Sequence, residues 1–155
     1  MRIPYYNLGR PTSPDYLRVF PNRQRVIQPL IKVVLRYQQR KHRIFALVDS
    51  GADFCLFPKD VADILGIQVR TGDSFLVTGI GGGRIPFFFH DIEILLDKHC
   101  IKTKVGFAAS SIGTAGLLGQ QGFFEHFVVT FDYTNNYVEL KKPGLIHNLA
   151  AKLSS

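Results

Sequence analysis

The chain has two cysteines, no tryptophan, and no apolar run approaching the length of a membrane span. Cys55 and Cys100 stand apart, without a CxxC spacing, which excludes a disulfide-stapled scaffold and signals no metal site. Both are expected to be buried free thiols in a reducing compartment. A spanning helix needs roughly 20 apolar residues in a row, and Gly, Pro or charge breaks every stretch well before that. Nor does an apolar signal core follow Met1 to Asn7. These gaps predict a soluble, cytoplasmic chain with no membrane span. Internal repeats and low-complexity stretches are also missing. Hydrophobic residues are plentiful, at 46% of 155, and supply material for one compact core.

Acidic residues are scarce at one end only. Residues 1–45 hold ten Lys and Arg against Asp15 alone, a balance of +9, while residues 46–155 hold nine against eleven acids, a balance of −2. A charge excess confined to an arm and one strand, with no recognition helix and no aromatic-basic RNA motif, reads as an interaction-prone extension. Nucleic acid is therefore not expected as the main partner.

Pro4, Pro11, Pro14 and Pro21 interrupt residues 1–25, which show no sustained period of 2 or 3.6 and predict a mobile basic arm. Residues 26–142 read as the domain proper. Val26–Tyr37 and Arg43–Val48 predict strands joined through residues 38–42, and Pro58 to Gly66 has the start and stop residues of a short helix. Ser74–Thr78, Arg84–Leu96 and Cys100–Phe107 predict strands with hairpin joints at 79–83 and 97–98, and Gln121–Phe127 a second short helix. Val128–Asp132 and Tyr137–Leu140 form a last hairpin. The tail over residues 143–155 has helical character from Leu145 to Leu153. About eight short strands, two short helices and no βα alternation predict a mostly β, barrel-like domain.

Three segments carry chemistry. In Leu47-Val48-Asp49-Ser50-Gly51-Ala52-Asp53, an acid ends an apolar strand, where carboxylates are rare without a reason. Gly51 permits a sharp turn that offers amides to the carboxylate, and the Ser50 hydroxyl can cross-link the turn. A solvated Asp opening an ordinary turn is the other reading of these residues alone. Gly79 to Gly83 sits between strands too long for a mere turn and suits a hairpin that closes over something. Leu117-Leu118-Gly119 suits a buried strand crossing close behind another loop. Competing motifs fail. Ser110-Ser111-Ile112-Gly113 lacks the leading glycine of a serine-hydrolase elbow, and Arg84 follows the glycine run where a phosphate loop needs Lys. His42, His90, His99, His126 and His147 lack metal-ligand spacing, and Cys55 lies in an apolar run where a thiol is inert.

In order and spacing these segments resemble the retropepsins, the single-domain aspartic proteases of retroviruses and their cellular and bacterial relatives. The likeness runs from Val26 to Leu140, about three quarters of the chain. It implies a single-domain closed β-barrel of the acid protease type with one or two short helices, active as a homodimer on a peptide or protein substrate, without cofactor or metal. By the same resemblance Asp49, Ser50 and Gly51 form the catalytic loop, and Ala52, Asp53, Gly79, Ile80, Gly81 and Gly82 contact substrate. Leu117, Leu118 and Gly119 brace the loop. Among twelve acids only Asp49 precedes Ser/Thr-Gly, so one chain supplies half of a two-carboxylate site. Gln120 departs from the pattern, since retroviral members usually have an arginine there that pairs with the acid matching Asp53. A retropepsin-like module that dimerises or binds peptides without catalysis is the alternative.

Overall fold

The computed structural model describes residues 1–79, 82–110 and 115–144. Strands β1 (Arg2–Pro4) and β2 (Tyr6–Gly9) and helix α1 (Pro14–Val19) precede β3 (Val26–Gln28), β4 (Leu30–Tyr37) and β5 (Arg40–Val48). Strand β6 (Leu56–Phe57), helix α2 (Lys59–Leu65) and a 3₁₀ turn at Val69–Thr71 follow. Next come β7 (Asp73–Thr78), β8 (Arg84–Leu96), β9 (His99–Ala108) and β10 (Gly116–Leu118). A 3₁₀ turn at Phe124–His126 leads into β11 (Val128–Asp132) and β12 (Tyr137–Lys141).

Six strands close into a barrel in the order β4, β5, β10, β6, β9, β8 and back to β4. Closure leaves no open sheet edge among these six, which removes the unpaired backbone groups that edges expose. Alternation decides which side chains face inward. On β4, Ile31, Val33 and Leu35 are buried while Lys32 is exposed. Ala46 and Val48 of β5, Ile92 and Ile94 of β8, Val105 and Phe107 of β9, and Leu118 of β10 complete the interior. Each Val, Leu, Ile or Phe among them stabilises the fold by about 1.5–3 kcal/mol on burial.

Helix α2 plugs this core through Val61, Ala62 and Leu65. Pro58 starts it with the φ a first turn requires, and Gly66 stops it at φ +72°, a left-handed conformation that glycine adopts without strain. The β7–β8 hairpin stands outside the barrel. Strand β9 begins to pair with β8 at Phe87, so Arg84 to Pro86 are held by β7 alone. Beside the barrel, β1, β12 and β11 form a three-stranded sheet that buries Val138 and Leu140.

The bounds expected for the strands at 84–96 and 128–132 and for the helix from Pro58 to Gly66 agree with the structure. Other expectations are corrected. Residues 1–25 hold three regular elements: β1 pairs with β12, β2 pairs with β3, and Ser13 caps α1 by accepting a hydrogen bond from the Tyr16 amide, with Pro14 in its first turn. Their partners lie far along the chain, or the helix is shorter than two turns, so no period announces them. The joint expected over 38–42 is a two-residue turn, with Tyr37 opposite Arg40 and Gln38 at φ +53°. The second helix shrinks to the 3₁₀ turn at Phe124–His126. Cys55 is buried as expected, but Cys100 is exposed, because it alternates with the buried Ile101 on β9. Among the described residues no helix is long and apolar enough to cross a membrane. The helical tail from Leu145 lies outside them.

The core makes a direct prediction. Phe107 is fully buried and packs against Phe57 at 6.4 Å between ring centroids. Phe107→Ala is expected to lower unfolding free energy by about 3–5 kcal/mol, read from urea denaturation followed by circular dichroism.

Candidate active site

Asp49 lies one residue past the end of β5. The parallel pairing of β5 with β10 sets Leu47 beside Leu117 and Val48 beside Leu118. That ladder runs on, since the Asp49 amide donates to the Leu118 carbonyl at 3.1 Å. Beyond it the chain folds back on itself. The Gly51 amide donates to Asp49 Oδ1 at 2.9 Å, and the Ala52 amide to the Asp49 carbonyl at 3.3 Å. One carboxylate oxygen is thus oriented by the loop's own backbone, as the Asp-Ser-Gly spacing predicts. Asp49 is half-buried, whereas Ser50, Gly51 and Asp53 are exposed and Ala52 is half-buried.

The segment after β10 braces this loop from behind. The Gln120 amide donates to the Ala52 carbonyl at 2.8 Å and the Gln121 amide to the Asp53 carbonyl at 2.9 Å. Gly119 is buried between them, and a Cβ there would lie 2.3 Å from the Phe54 carbonyl oxygen and 2.5 Å from that of Ala52. Only glycine lets the two backbones approach so closely. Leu118 is buried and Leu117 half-buried beside it. Sequence reasoning missed the part played by Gln120. Its side-chain amide donates to the Ser50 carbonyl at 3.0 Å, tying the loop at the position where the sequence departs from the pattern it resembles. Among the described residues Asp53 joins no ion pair.

Gly79 and Gly82 lie at the tip of the β7–β8 hairpin, where the Gly79 amide donates to the Gly83 carbonyl at 2.9 Å and the Gly82 amide to that of Gly79 at 3.1 Å. Ile80 and Gly81, the other expected substrate contacts, lie outside the described residues. The root of the hairpin meets the Asp49 loop through aromatic rings that sequence reasoning also missed. Phe54 packs edge-on against Phe75 of β7 at 5.5 Å and against Phe89 of β8 at 5.2 Å. The signal available for them was Phe75-Leu76, an apolar pair on a strand with few buried neighbours; both are 53% exposed. A cavity of about 330 Å³ opens among Phe54, Phe75, Phe89, Lys104 and Gln121.

Cys55 sits under the loop and takes no part in chemistry of this kind. Its thiol donates to the Gln121 carbonyl at 3.4 Å, and burial pushes its pKa up to about 11, which keeps it protonated.

The close approach at Gly119 is testable. Gly119→Ala is expected to destabilise the protein by roughly 1–3 kcal/mol, whereas Gly144→Ala, where a Cβ would meet nothing within 4 Å, should change stability by less than about 0.5 kcal/mol. Equal urea midpoints for the two variants would contradict the brace.

No family model and no curated protein matches the chain. Among solved structures it is similar to a retropepsin-like aspartic protease from Rickettsia conorii, with a TM-score of 0.50 and 18% identity over 72% of this chain and 80% of that one. It is also similar to the EIAV protease complexed with the inhibitor HBY-793, with a TM-score of 0.46 and 22% identity over 60% of this chain and 82% of that one. The closed six-stranded barrel, the two short helices and the likeness to the Rickettsia structure together identify the fold as retropepsin-like.

Proposed function

We propose that this chain is an aspartic endopeptidase whose active form is a homodimer, with the Asp49 carboxylates of two copies meeting on the symmetry axis. The observation that carries this reading is the loop itself. A half-buried carboxylate at the end of a barrel strand is held by the Gly51 amide, and the loop around it is braced by Leu118, Gly119 and Gln120. A turn that merely opened to solvent would need no such brace. Ser50 and Gly51 are exposed beside it, as residues that meet a second copy must be before it binds.

The chemistry follows from charge. Two carboxylates about 3 Å apart cannot both ionise, so the pair holds one shared proton. The ionised Asp49 takes a proton from a water molecule, and the oxygen of that water forms a bond to the peptide carbonyl carbon. The protonated Asp49 of the other copy gives its proton to the carbonyl oxygen, so a neutral tetrahedral diol forms. Proton return to the amide nitrogen then lets the C–N bond break, releasing an amine and a carboxylic acid with no covalent enzyme intermediate. In this reading Ala52 and Asp53 hold the substrate backbone from below, and Gly79, Ile80, Gly81 and Gly82 cover it from above. Leu117, Leu118 and Gly119 support the loop, and the domain that does this spans residues 26–142.

Asp49→Asn keeps the size of the side chain and removes its acid–base function, so cleavage of a mixed peptide library should fall by at least roughly 10²-fold while sedimentation still gives a dimer. A variant that cleaves at the wild-type rate overturns the assignment of Asp49. Wild-type protein that sediments as a monomer at concentrations where it cleaves overturns the shared site.

A further inference from the structure

Cations are concentrated on the outer face of the β4–β5 ribbon. Directly opposed residues of an antiparallel pair share a face, and the register sets Lys32 opposite Phe45, Val34 opposite Arg43 and Arg36 opposite Lys41. The other face carries Ile31, Val33, Leu35 and Ala46 into the core, so the basic set points outward. Lys32, Lys41 and Arg43 are exposed. The neighbouring strands add Glu93, beside Arg36, and Lys102, opposite Glu93. Glu93 pairs with Arg36 and lies 3.8 Å from Lys102. The face thus carries five cations, Lys32, Arg36, Lys41, Arg43 and Lys102, against the single carboxylate of Glu93. Among the described residues Lys32 and Arg43 join no ion pair. The basic surface ends one register step further on, where Lys104 is matched by Asp73 at 3.1 Å and Asp91 at 3.6 Å.

Like charges placed directly opposite each other, as Arg36 and Lys41 are, destabilise a sheet. Same-face residues along a strand recur every 7 Å or so, which presents these cations as a regular row suited to an anion of repeating charge. Aromatic rings narrow the choice of polyanion. Lys32 Nζ lies over the Phe45 ring at 5.2 Å, and Tyr6 of β2 packs on the same ring at 4.8 Å between centroids while remaining 42% exposed. An exposed tyrosine at the Lys32 end of a basic strand face is a platform for a base, which lipid headgroups and acidic peptides lack. A duplex keeps its base faces stacked inside and so offers the exposed Tyr6 ring no partner.

We propose that the outer face of β4 and β5, with Tyr6, binds single-stranded nucleic acid, with Lys32, Lys41 and Arg43 on phosphates and the Tyr6 ring stacked on a base. The surface is separate from the Asp49 loop, and its occupancy does not depend on peptide cleavage.

Fluorescence anisotropy of labelled dT20 with the full chain tests this. Saturable binding at 50 mM NaCl is expected, weakened roughly 20- to 50-fold at 200 mM if three or four phosphates are neutralised. Lys32→Glu/Arg43→Glu should abolish it at either salt. Arg18→Glu/Lys142→Glu makes the same change in net charge off the face and should stay within about threefold of wild type, because screening limits distant charges. Tyr6→Ala should weaken binding roughly fivefold or more, and Tyr6→Phe should restore it. All four variants change exposed residues, and matching thermal melts check that they fold. No saturable binding at 50 mM NaCl overturns the proposal, as does equal loss in the two charge-reversal variants. A dT20·dA20 duplex or phosphatidylserine vesicles bound as tightly as dT20, with Tyr6→Ala unaffected, also overturns it.

Discussion

The backbone of Gly119 lies against the carbonyls of Ala52 and Phe54 with no room for a side-chain carbon, and the geometry of the Asp49 loop depends on that contact. Because the strands meet there, the amides of Asp49, Gln120 and Gln121 find carbonyls across the gap, and Gln120 reaches Ser50 with its side chain. Each such bond contributes only about 0.5–1.5 kcal/mol net, but an amide left unpaired at this depth would cost more than it gains. The brace therefore holds one loop conformation. That conformation presents the Asp49 carboxylate to the Gly51 amide, and a fixed carboxylate is what acid–base chemistry on a peptide requires.

The brace exists because the barrel closes. Strands β5 and β10 are separated by most of the domain in sequence, yet pair in parallel, and β6 pairs with β9 in the same way. These long-range contacts are worth forming only when a large core rewards them, and the buried Phe, Ile, Leu and Val side chains inside the six strands supply it. Stability is consequently uneven. Every barrel strand has a barrel neighbour on both sides, whereas β7 pairs with β8 alone and is exposed along nearly its whole length. A hairpin built this way opens at lower free energy than the barrel behind it. Its aromatic root at Phe54, Phe75 and Phe89 keeps it attached to the segment that follows the Asp49 loop.

Much of this was legible in the residues. Alternation and turn residues set the bounds of β8 and β11, the Pro58 and Gly66 punctuation set helix α2, and an acid placed after four apolar residues marked Asp49 as out of the ordinary. All of these are local rules, acting over a few neighbouring residues, so the sequence by itself determined them. It also determined that each chain carries a single Asp-Ser-Gly. Tertiary structure decided what lies across the gap: the pairing of β1 with β12, the Gln120 bond to Ser50, the rings that tie Phe54 to the hairpin, and the exposure of Cys100. It likewise gathered Lys32, Arg36, Lys41, Arg43 and Lys102 onto one outer face, with Tyr6 beside them. The reason is common to all of these. A side chain's partners are set by strand register and barrel closure, which bring together residues tens of positions apart, and neither period nor punctuation along the chain carries that distance.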